Sequence, residues 1–488
     1  MDIFQMTALE CGAAIRDGKL TAVEAAEQVL AAAEADKTNA YITVCREQAL
    51  ARAAAVQADI ESGRLTGPLA GVPFAIKDNI CTKGVKTTAA SHILGDFTPV
   101  YNATVMDRLE AAGAVTVGKL NMDEFAMGST SETSYYGPTK NPWDLTKVPG
   151  GSSGGAAASV AAKSTLISLG SDTGGSIRQP ASYCGVTGFK PTYGTVSRFG
   201  LIAYASSLDQ IGPVARTASD CAAVMDVIAG KDPMDGTTLD TPAAGYLDAL
   251  TGDIKGLRIG IPKECYATAG LDPEVAAKTR AAAETLAAAG AVVEEISMPF
   301  LEYVIPAYYI IAAAEASSNL SRFDGVKYGF RASKEDYSGL VDMYNATRSE
   351  GFGTEVKKRI LLGTFVLSSG YYDAYYRKAL RVKAVIKQKF DEIFAGYDLI
   401  LCPVAPTTAP ALGKSLADPM AMYLSDIFTV SVNIAGLPGI AVPCGFDKSG
   451  MPIGVQLIGK ALADKTVLNA GHAFQMLTDY HKQFAEVK

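Results

Sequence analysis

The sequence predicts a single α/β domain spanning residues 1–488, in which helices cover both faces of a mixed, mostly parallel central sheet. Short apolar runs at 72–76 and 165–169 alternate with longer segments of helical periodicity, and this alternation is typical of a parallel sheet. Near the C-terminus, the apolar runs 439–444 and 453–458 flank a polar turn and predict an antiparallel hairpin. The hairpin makes the predicted sheet mixed.

The N-terminal part, to about residue 65, is predicted to be helical and to pack on the α/β core. Thr21 and Glu24 form a capping box at the start of an alanine-rich helix, because each side chain can bond the other's unpaired backbone amide. A stretch at 230–252 is rich in Asp, Thr, Pro and Gly and is predicted to be a surface connection rather than a domain boundary.

The remaining elements follow from apolar periodicity and from the capping residues and glycines at helix ends. We predict helices at 102–112, 156–162 and 273–289, and strands at 114–117, 257–261, 291–296 and 399–402.

Composition and charge argue against several classes of protein. No apolar run approaches the roughly 18–20 residues that a membrane span requires. The acidic N-terminus lacks the basic region of a secretory signal, so we expect a cytoplasmic protein. The net charge of −7 argues against direct binding of nucleic acid, which basic surfaces mediate. The eight cysteines are scattered without a C-x-x-C pair, which predicts buried free thiols and no zinc site.

Two glycine-rich segments containing serines stand out, at 150–155 and 170–180. Glycine lets the backbone turn tightly and approach a ligand, and a serine placed there can present its hydroxyl. Such segments are often simple turns or phosphate-binding loops, although neither segment has the G-K-[ST] ending of a P-loop. They are therefore candidates for a nucleophilic serine.

A nucleophilic serine needs a base, and Lys77 is the notable candidate. The three histidines have no special sequence setting. Lys77 ends a predicted buried strand, where burial disfavours the ammonium form and lowers the pKa of a lysine. Taken alone, the position favours an ion pair with Asp78 or another carboxylate over a neutral amine.

Taken together, these residues resemble the amidase signature family. Lys77 lies in GVPFAIKDNI, Ser152 in GGSSGG and Ser176 in GSDTGGSIRQP, in the order and spacing of that family. The resemblance implies an α/β/α fold in which Ser176 is the nucleophile, neutral Lys77 is the base, and Ser152 bridges them from a cis peptide. We further expect Asp172 and Arg178 to brace the nucleophile loop rather than to react. The backbone amides expected to stabilise an oxyanion are those of Thr173, Gly174 and Gly175.

Within that family, four further stretches resemble the glutamine-hydrolysing subunits of tRNA-dependent amidotransferases. They lie at 128–132, 315–322, 371–376 and 433–439. The resemblance implies glutamine as substrate, with Arg359 on its α-carboxylate, Asp426 on its α-ammonium group, and Ser129 as a third binding residue.

The same resemblance implies a heterotrimer in which this chain has two partners, the B and C subunits, of which the C subunit is small. The B subunit would bind tRNA, ATP and Mg²⁺, and this chain would need no cofactor or metal of its own.

Three alternatives remain open at the level of the sequence. The chain could be a stand-alone amidase for another small amide, because the serine–lysine relay acts on any amide. It could be a non-catalytic subunit whose glycine loops bind a ligand. It could also be an amidotransferase that uses a thiol such as Cys184.

Overall fold

An eleven-stranded mixed sheet forms the centre of the computed structural model, which describes residues 1–240, 244–417, 422 and 424–487. The strands among these residues are β1 (Tyr41–Val44), β2 (Pro73–Lys77), β3 (Val115–Leu120), β4 (Ile167–Asp172), β5 (Thr187–Lys190), β6 (Gln210–Ala215), β7 (Arg258–Pro262), β8 (Val292–Ile296), β9 (Leu399–Pro403), β10 (Gly439–Phe446) and β11 (Pro452–Gly459). They lie in the order β1-β3-β2-β4-β6-β5-β10-β11-β9-β7-β8. One sheet therefore takes strands from both ends of the chain.

The expectation of a mixed sheet is confirmed, but the expectation that it is mostly parallel is wrong. In the part of the chain that the structure describes, six of the ten strand pairings are antiparallel. Parallel pairing is confined to β3-β2-β4 on one side and to β9-β7-β8 on the other. The strands β5 and β6, which the sequence analysis missed, join β4 to the predicted hairpin β10-β11 by antiparallel pairing.

Helices cover the sheet on both faces. Among the described residues, the α-helices of five or more residues are α1 (Ala8–Arg16), α2 (Ala22–Glu34), α3 (Arg46–Glu61), α4 (Thr104–Ala111), α5 (Gly154–Ala161), α6 (Arg178–Cys184), α7 (Ala218–Ile228), α8 (Pro273–Ala288), α9 (Val304–Asn319), α10 (Leu340–Gly351), α11 (Thr354–Leu367), α12 (Lys378–Phe394), α13 (Val430–Ile434) and α14 (Asp464–Leu477). A π-helical turn, Tyr372–Arg377, precedes α12.

The N-terminal part contains a strand as well as helices, so the expectation of a wholly helical segment is wrong. The short strand β1 lies between α2 and α3 and pairs antiparallel with β3 at one edge of the sheet. The predicted capping box is confirmed, because Thr21 Oγ1 accepts from the Glu24 amide at 3.1 Å and Glu24 Oε2 accepts from the Thr21 amide at 2.8 Å.

Two hydrophobic cores lie on opposite faces of the sheet. Along β9, Leu399 and Leu401 belong to one core and Ile400 and Cys402 to the other, because successive side chains of a strand point to opposite faces. The first core includes side chains of α2, α7 and α14, and the second includes side chains of α9 and α12. This arrangement is the expected α/β/α layering. None of the described helices combines the length and apolar character that crossing a bilayer requires.

Candidate active site

The candidate site lies at the carboxyl ends of two neighbouring parallel strands. Lys77 ends β2, and the register of β2 with β4 brings it beside the Ser171 end of β4. Ser152 and Ser153 immediately precede α5, which packs against the same strands. The carboxyl ends of parallel strands are where α/β proteins place their ligands.

The Lys77 amine contacts three oxygen atoms. Its Nζ atom lies 2.7 Å from Ser152 Oγ, 2.8 Å from Ser153 Oγ and 3.2 Å from the carbonyl oxygen of Ser171. The structure therefore brings together the predicted base and the predicted bridging serine. Lys77 is fully buried, and burial lowers the pKa of its amine to about 7, outweighing the opposite effect of the carboxylates of Asp123 and Asp172.

These contacts determine which neighbouring group can donate a proton to a neutral Lys77 amine. The amine has two N–H donors and one lone pair, and the Ser171 carbonyl can only accept. Ser153 Oγ donates its own hydrogen to that carbonyl at 3.0 Å, so it also accepts from Lys77. The two N–H groups are thereby used, and the lone pair faces the Ser152 hydroxyl. Ser152 is the only one of the three partners that can donate a proton to Lys77.

The alternative of an ion pair between Lys77 and Asp78 is wrong. Adjacent residues of a strand point to opposite faces, and Asp78 lies 3.7 Å from the amine of Lys119 instead. Asp78 also accepts from the hydroxyl and the amide of Thr88. Among the described residues, Lys77 forms no salt bridge, which leaves burial as the dominant influence on its pKa.

The segment 150–155 can adopt its path because of its glycines. Gly150 has φ +87°, and a Cβ atom there would lie 2.4 Å from Gln179 Oε1. The peptide bond between Gly151 and Ser152 is cis, as expected from the resemblance. The amide of Ser153 donates to the carbonyl oxygen of Ser176 at 3.1 Å. The two glycine-rich segments therefore lie side by side.

Ser176 is mostly buried, with 8% of its surface exposed. Its hydroxyl forms no hydrogen bond with the residues that the structure describes, so the link from Ser176 to Ser152 is not made in this structure. Catalytic hydrogen bonds are often long or absent without substrate and form in the substrate complex.

The expected oxyanion donors need one correction. The Gly175 amide donates to Asp172 Oδ1 at 2.8 Å, so this amide is already used and the expectation for Gly175 is wrong. Within the described residues, the amides of Thr173, Gly174 and Ser176 donate to no protein acceptor. The Ser176 amide was missed in the sequence analysis and joins Thr173 and Gly174 as a candidate donor.

A buried ion pair holds the nucleophile loop. Arg178 Nε and Nη2 lie 3.1 and 3.2 Å from the Asp172 carboxylate, which also accepts from the amides of Gly175 and Ile177. Burial opposes the charge of Asp172, but the Arg178 guanidinium prevails and lowers the pKa of this carboxyl to about 2. Arg178 also donates to Gln456, to Asn433 and to the Thr429 carbonyl, so the pair ties the loop to the C-terminal part of the chain, as expected for bracing residues.

Comparison with known proteins agrees with this geometry. A sequence profile of the Amidase family matches residues 24–468. The chain belongs to the amidase family.

The relatives of this amidase share its full length. It is 61% identical over 477 residues to the A subunit of the glutamyl-tRNA(Gln) amidotransferase of Lachnospira eligens, covering 97% of this chain and 98% of that protein. The corresponding protein of Moorella thermoacetica is 54% identical and covers 100% of this chain and 99% of its own length. The crystal structure of the corresponding Thermotoga maritima protein has a TM-score of 0.81 at 40% identity, covering 100% and 99% of the two chains. A peptide amidase from Stenotrophomonas maltophilia has a TM-score of 0.80 at 28% identity, covering 96% of each chain.

In this amidase, two of the candidate residues for substrate binding, Ser129 and Asp426, border the loop that carries Ser176. The Ser129 hydroxyl donates to the carboxylate of Asp426. Burial raises the pKa of the Asp426 carboxyl to about 7, although this hydrogen bond and the charge of Arg359 both oppose the shift. Three residues after Asp426, the Thr429 hydroxyl donates to the Gly174 carbonyl at 2.7 Å. Asp426 and the nucleophile loop are thus held together through one short segment.

Arg359 is buried on α11 beside two groups that the sequence analysis missed. Its Nε lies 2.7 Å from Glu355 Oε1, and its Nη1 donates to the Tyr204 hydroxyl at 2.7 Å. The i, i+4 spacing of Glu355 and Arg359 on one helix was a signal available in the sequence. No local signal pointed to Tyr204, because it comes from a distant loop.

The alternative nucleophile Cys184 donates its thiol to the carbonyl oxygen of Pro149, next to the segment 150–155, rather than to a base. All eight cysteines are free and buried, as predicted, and burial strongly raises the pKa of the Cys184 thiol. His92 stacks between Tyr135 and Phe330, and the other two histidines lie near the C-terminus. Across the described ranges, no group of His, Cys, Asp and Glu side chains is arranged to hold a metal ion.

Proposed function

We propose that this amidase hydrolyses glutamine through an acyl-Ser176 intermediate and supplies the ammonia to a partner subunit. The partner would use the ammonia to convert Glu-tRNA(Gln) to Gln-tRNA(Gln). The observation that carries the proposal is the contact of the buried Lys77 amine with Ser152, beside the loop that bears Ser176. The relationship to the A subunits of glutamyl-tRNA(Gln) amidotransferases supports the choice of glutamine.

In the proposed reaction, Ser176 Oγ attacks the side-chain amide carbon of glutamine as its proton passes to Ser152 Oγ. Ser152 gives its own proton to the lone pair of Lys77, the direction that the hydrogen bonds of Lys77 favour. The amides of Thr173, Gly174 and Ser176 are proposed to stabilise the negative oxygen. Lys77 then returns the proton through Ser152 to the departing amide nitrogen, and ammonia leaves. Water hydrolyses the acyl-serine by the same relay and releases glutamate.

The proposed specificity rests on one fixed cation and one fixed anion. Glutamine is a zwitterion at neutral pH, so a selective site needs a positive group for its carboxylate and a negative group for its ammonium. We assign Arg359 to the α-carboxylate, and Asp426 with Ser129 to the α-ammonium group. Because the pKa of the Asp426 carboxyl is about 7, the α-ammonium group of bound glutamine can stabilise the ionised form of Asp426.

The proposal includes a complex with B and C subunits and a cytoplasmic location, where tRNA is charged. ATP, Mg²⁺ and tRNA are assigned to the B subunit. The acidic net charge of −7 supports this division, since an ammonia donor does not need to hold tRNA.

The experiment that tests the nucleophile is covalent labelling. The chain is incubated with a glutamine analogue that carries a diazoketone in place of the side-chain amide, and the adduct is located by mass spectrometry. We expect the adduct on Ser176, none in Ser176→Ala, and full labelling in Cys184→Ala. An adduct on Cys184 or another thiol would refute the serine mechanism.

Substrate and partners are tested separately. Glutamine hydrolysis should exceed hydrolysis of butanamide, which lacks both α-groups, by at least 100-fold in kcat/KM, and it should rise when the B and C subunits are added. Equal use of both amides, without any effect of the partners, would favour the stand-alone amidase instead.

A further inference from the structure

A surface rich in exposed apolar side chains lies on α11 and on the π-helical turn that follows. About a quarter of the exposed large hydrophobic residues described fall within about 3% of the chain's length, which exceeds the scatter of a normal surface. We name this surface the aromatic ridge. It consists of Leu361, Leu362, Phe365, Tyr371, Tyr372 and Tyr375.

The aromatic ridge is an ordered arrangement. The ring centres of Phe365 and Tyr371 lie 4.4 Å apart, and that of Tyr375 lies 6.1 and 6.0 Å from them. These distances are typical of aromatic packing. The three rings therefore form a preformed cluster that a binding partner would not have to order.

The aromatic ridge faces away from the rest of the chain. The opposite side of α11 packs tightly on α9, where a Cβ atom at Gly363 would lie 1.9 Å from the Ala313 carbonyl oxygen. Val356 and Val366 are buried on that side, whereas Leu361 is 71% exposed. The chain thus provides no cover for the ridge among the residues that the structure describes.

The charge around the aromatic ridge contrasts with that of the whole chain. Apart from the buried pair Glu355 and Arg359, the stretch 354–394, which includes α11 and α12, has eight basic and three acidic residues, although the chain carries a net charge of −7. Lys378 and Arg381 are exposed directly after the ridge. An apolar centre with a basic border fits a partner with an apolar face and acidic flanks.

Two other occupants fit this surface less well. A second copy of the chain would bring one basic border against another, which costs Coulomb energy. RNA would suit the basic border and the exposed rings, but the net charge of −7 on the chain opposes binding of a polyanion. A protein segment satisfies both the aliphatic and the basic parts of the surface.

We propose that the aromatic ridge docks an amphipathic segment, apolar on one side and acidic at its flanks, from a partner subunit of the amidotransferase complex. This inference rests on the proposed function, because the relatives are named as A subunits and a complete enzyme needs other subunits. It deepens that function by assigning a face of this chain to the assembly.

The test uses the full chain co-expressed with the B and C subunits of its own complex. The ridge variant is Phe365→Glu with Tyr371→Glu, and the matched control is Val100→Glu with Met476→Glu, two residues that are 83% and 66% exposed elsewhere. We expect the ridge variant to bind the partners at least 100-fold more weakly, and the control to bind like the wild type. Circular dichroism, thermal unfolding and glutamine hydrolysis by the isolated chain should stay unchanged in both variants.

The outcomes separate this inference from the proposed function. If the wild-type chain binds its partners and the ridge variant binds equally well, the inference fails and the proposed function stands. If the wild-type chain does not bind them at all, both fail. If light scattering shows that the wild-type chain is a dimer and the ridge variant a monomer, the occupant of the ridge is a second copy of the chain instead. If the isolated chain binds tRNA and Lys378→Glu abolishes that binding, the occupant is RNA instead.

The basic residues that border the aromatic ridge, Lys378 and Arg381, allow a second measurement. Lys378→Glu with Arg381→Glu should weaken partner binding by about tenfold at low salt and by less than threefold at 0.5 M salt, because screening removes the electrostatic part. A loss of partner binding that does not depend on salt would contradict the acidic character assigned to the partner.

Discussion

Amide hydrolysis by this chain should increase with pH around the pKa of Lys77, because only the neutral amine can accept a proton from Ser152. The buried Lys77 amine has a pKa of about 7 instead of the usual 10.5. The pH dependence of the rate therefore tests the main electrostatic feature of the site.

The size of the expected increase in rate follows from the fraction of Lys77 that is neutral at each pH. With a pKa of about 7, this fraction is roughly 10% at pH 6 and 90% at pH 8, so the rate rises about tenfold and then reaches a plateau. A lysine with its usual pKa would be neutral in only about one molecule in 3,000 at pH 7. Its rate would rise about tenfold per pH unit through pH 9 without a plateau.

The choice of substrate separates Lys77 from Asp426. Asp426 also has a pKa of about 7 and must be ionised to bind an α-ammonium group. With butanamide, only Lys77 should titrate, and kcat/KM should rise about tenfold between pH 6 and 8. With glutamine, both groups should titrate, and the rise should approach about 100-fold. Ammonia release is measured at each pH, with circular dichroism to verify that the chain stays folded.

Asp123→Asn provides the decisive perturbation. Burial raises the pKa of the Asp123 carboxyl, while hydrogen bonds from the amides of Ser131 and Thr133 and from the Thr133 hydroxyl favour its ionised form. The charge of this ionised form raises the pKa of Lys77. Removing that charge should move the midpoint for butanamide to lower pH. Ser168→Ala removes a buried hydroxyl that contacts Ala156 rather than Lys77, and should leave the midpoint unchanged. A flat profile, or a midpoint that rises in Asp123→Asn, would refute the reasoning.

Three further predictions concern the same site. Ser153→Ala should lower kcat by about 10- to 100-fold with less than a threefold change in KM for glutamine, and should move the midpoint to lower pH, because Lys77 loses an acceptor that orients its lone pair. Lys77→Met should abolish activity yet raise the free energy of unfolding in urea by about 1–3 kcal/mol at pH 7, since the cost of burying the amine disappears. In the wild type, the unfolded state binds more protons between about pH 7 and 10.5, so stability should rise with pH in that window, and this rise should be smaller in Lys77→Met. Arg178→Met should lower the free energy of unfolding by about 3–5 kcal/mol, because Asp172 would remain a buried charge without its partner.

The local signals in the sequence were sufficient for much of the fold. Capping residues and apolar periodicity located the helix that Thr21 begins and the strand that Lys77 ends, because these features depend on neighbouring residues. They did not reveal β5 and β6, because each contains a glycine and β6 also contains a proline, and both residues are uncommon in strands. The antiparallel majority of the sheet was missed for the same reason, since both strands supply antiparallel pairings at its centre.

The sequence by itself predicted which residues carry the chemistry, since Lys77, Ser152 and Ser176 each lie in a recognisable motif. Only the tertiary structure decided the state of these groups. Taken alone, the position of Lys77 in the sequence favoured an ion pair, but pleating turns Asp78 towards Lys119 and leaves the Lys77 amine among oxygen atoms that carry no charge. Protonation and hydrogen-bond direction depend on burial and on contacts between residues far apart in the chain, and no local pattern encodes those distances.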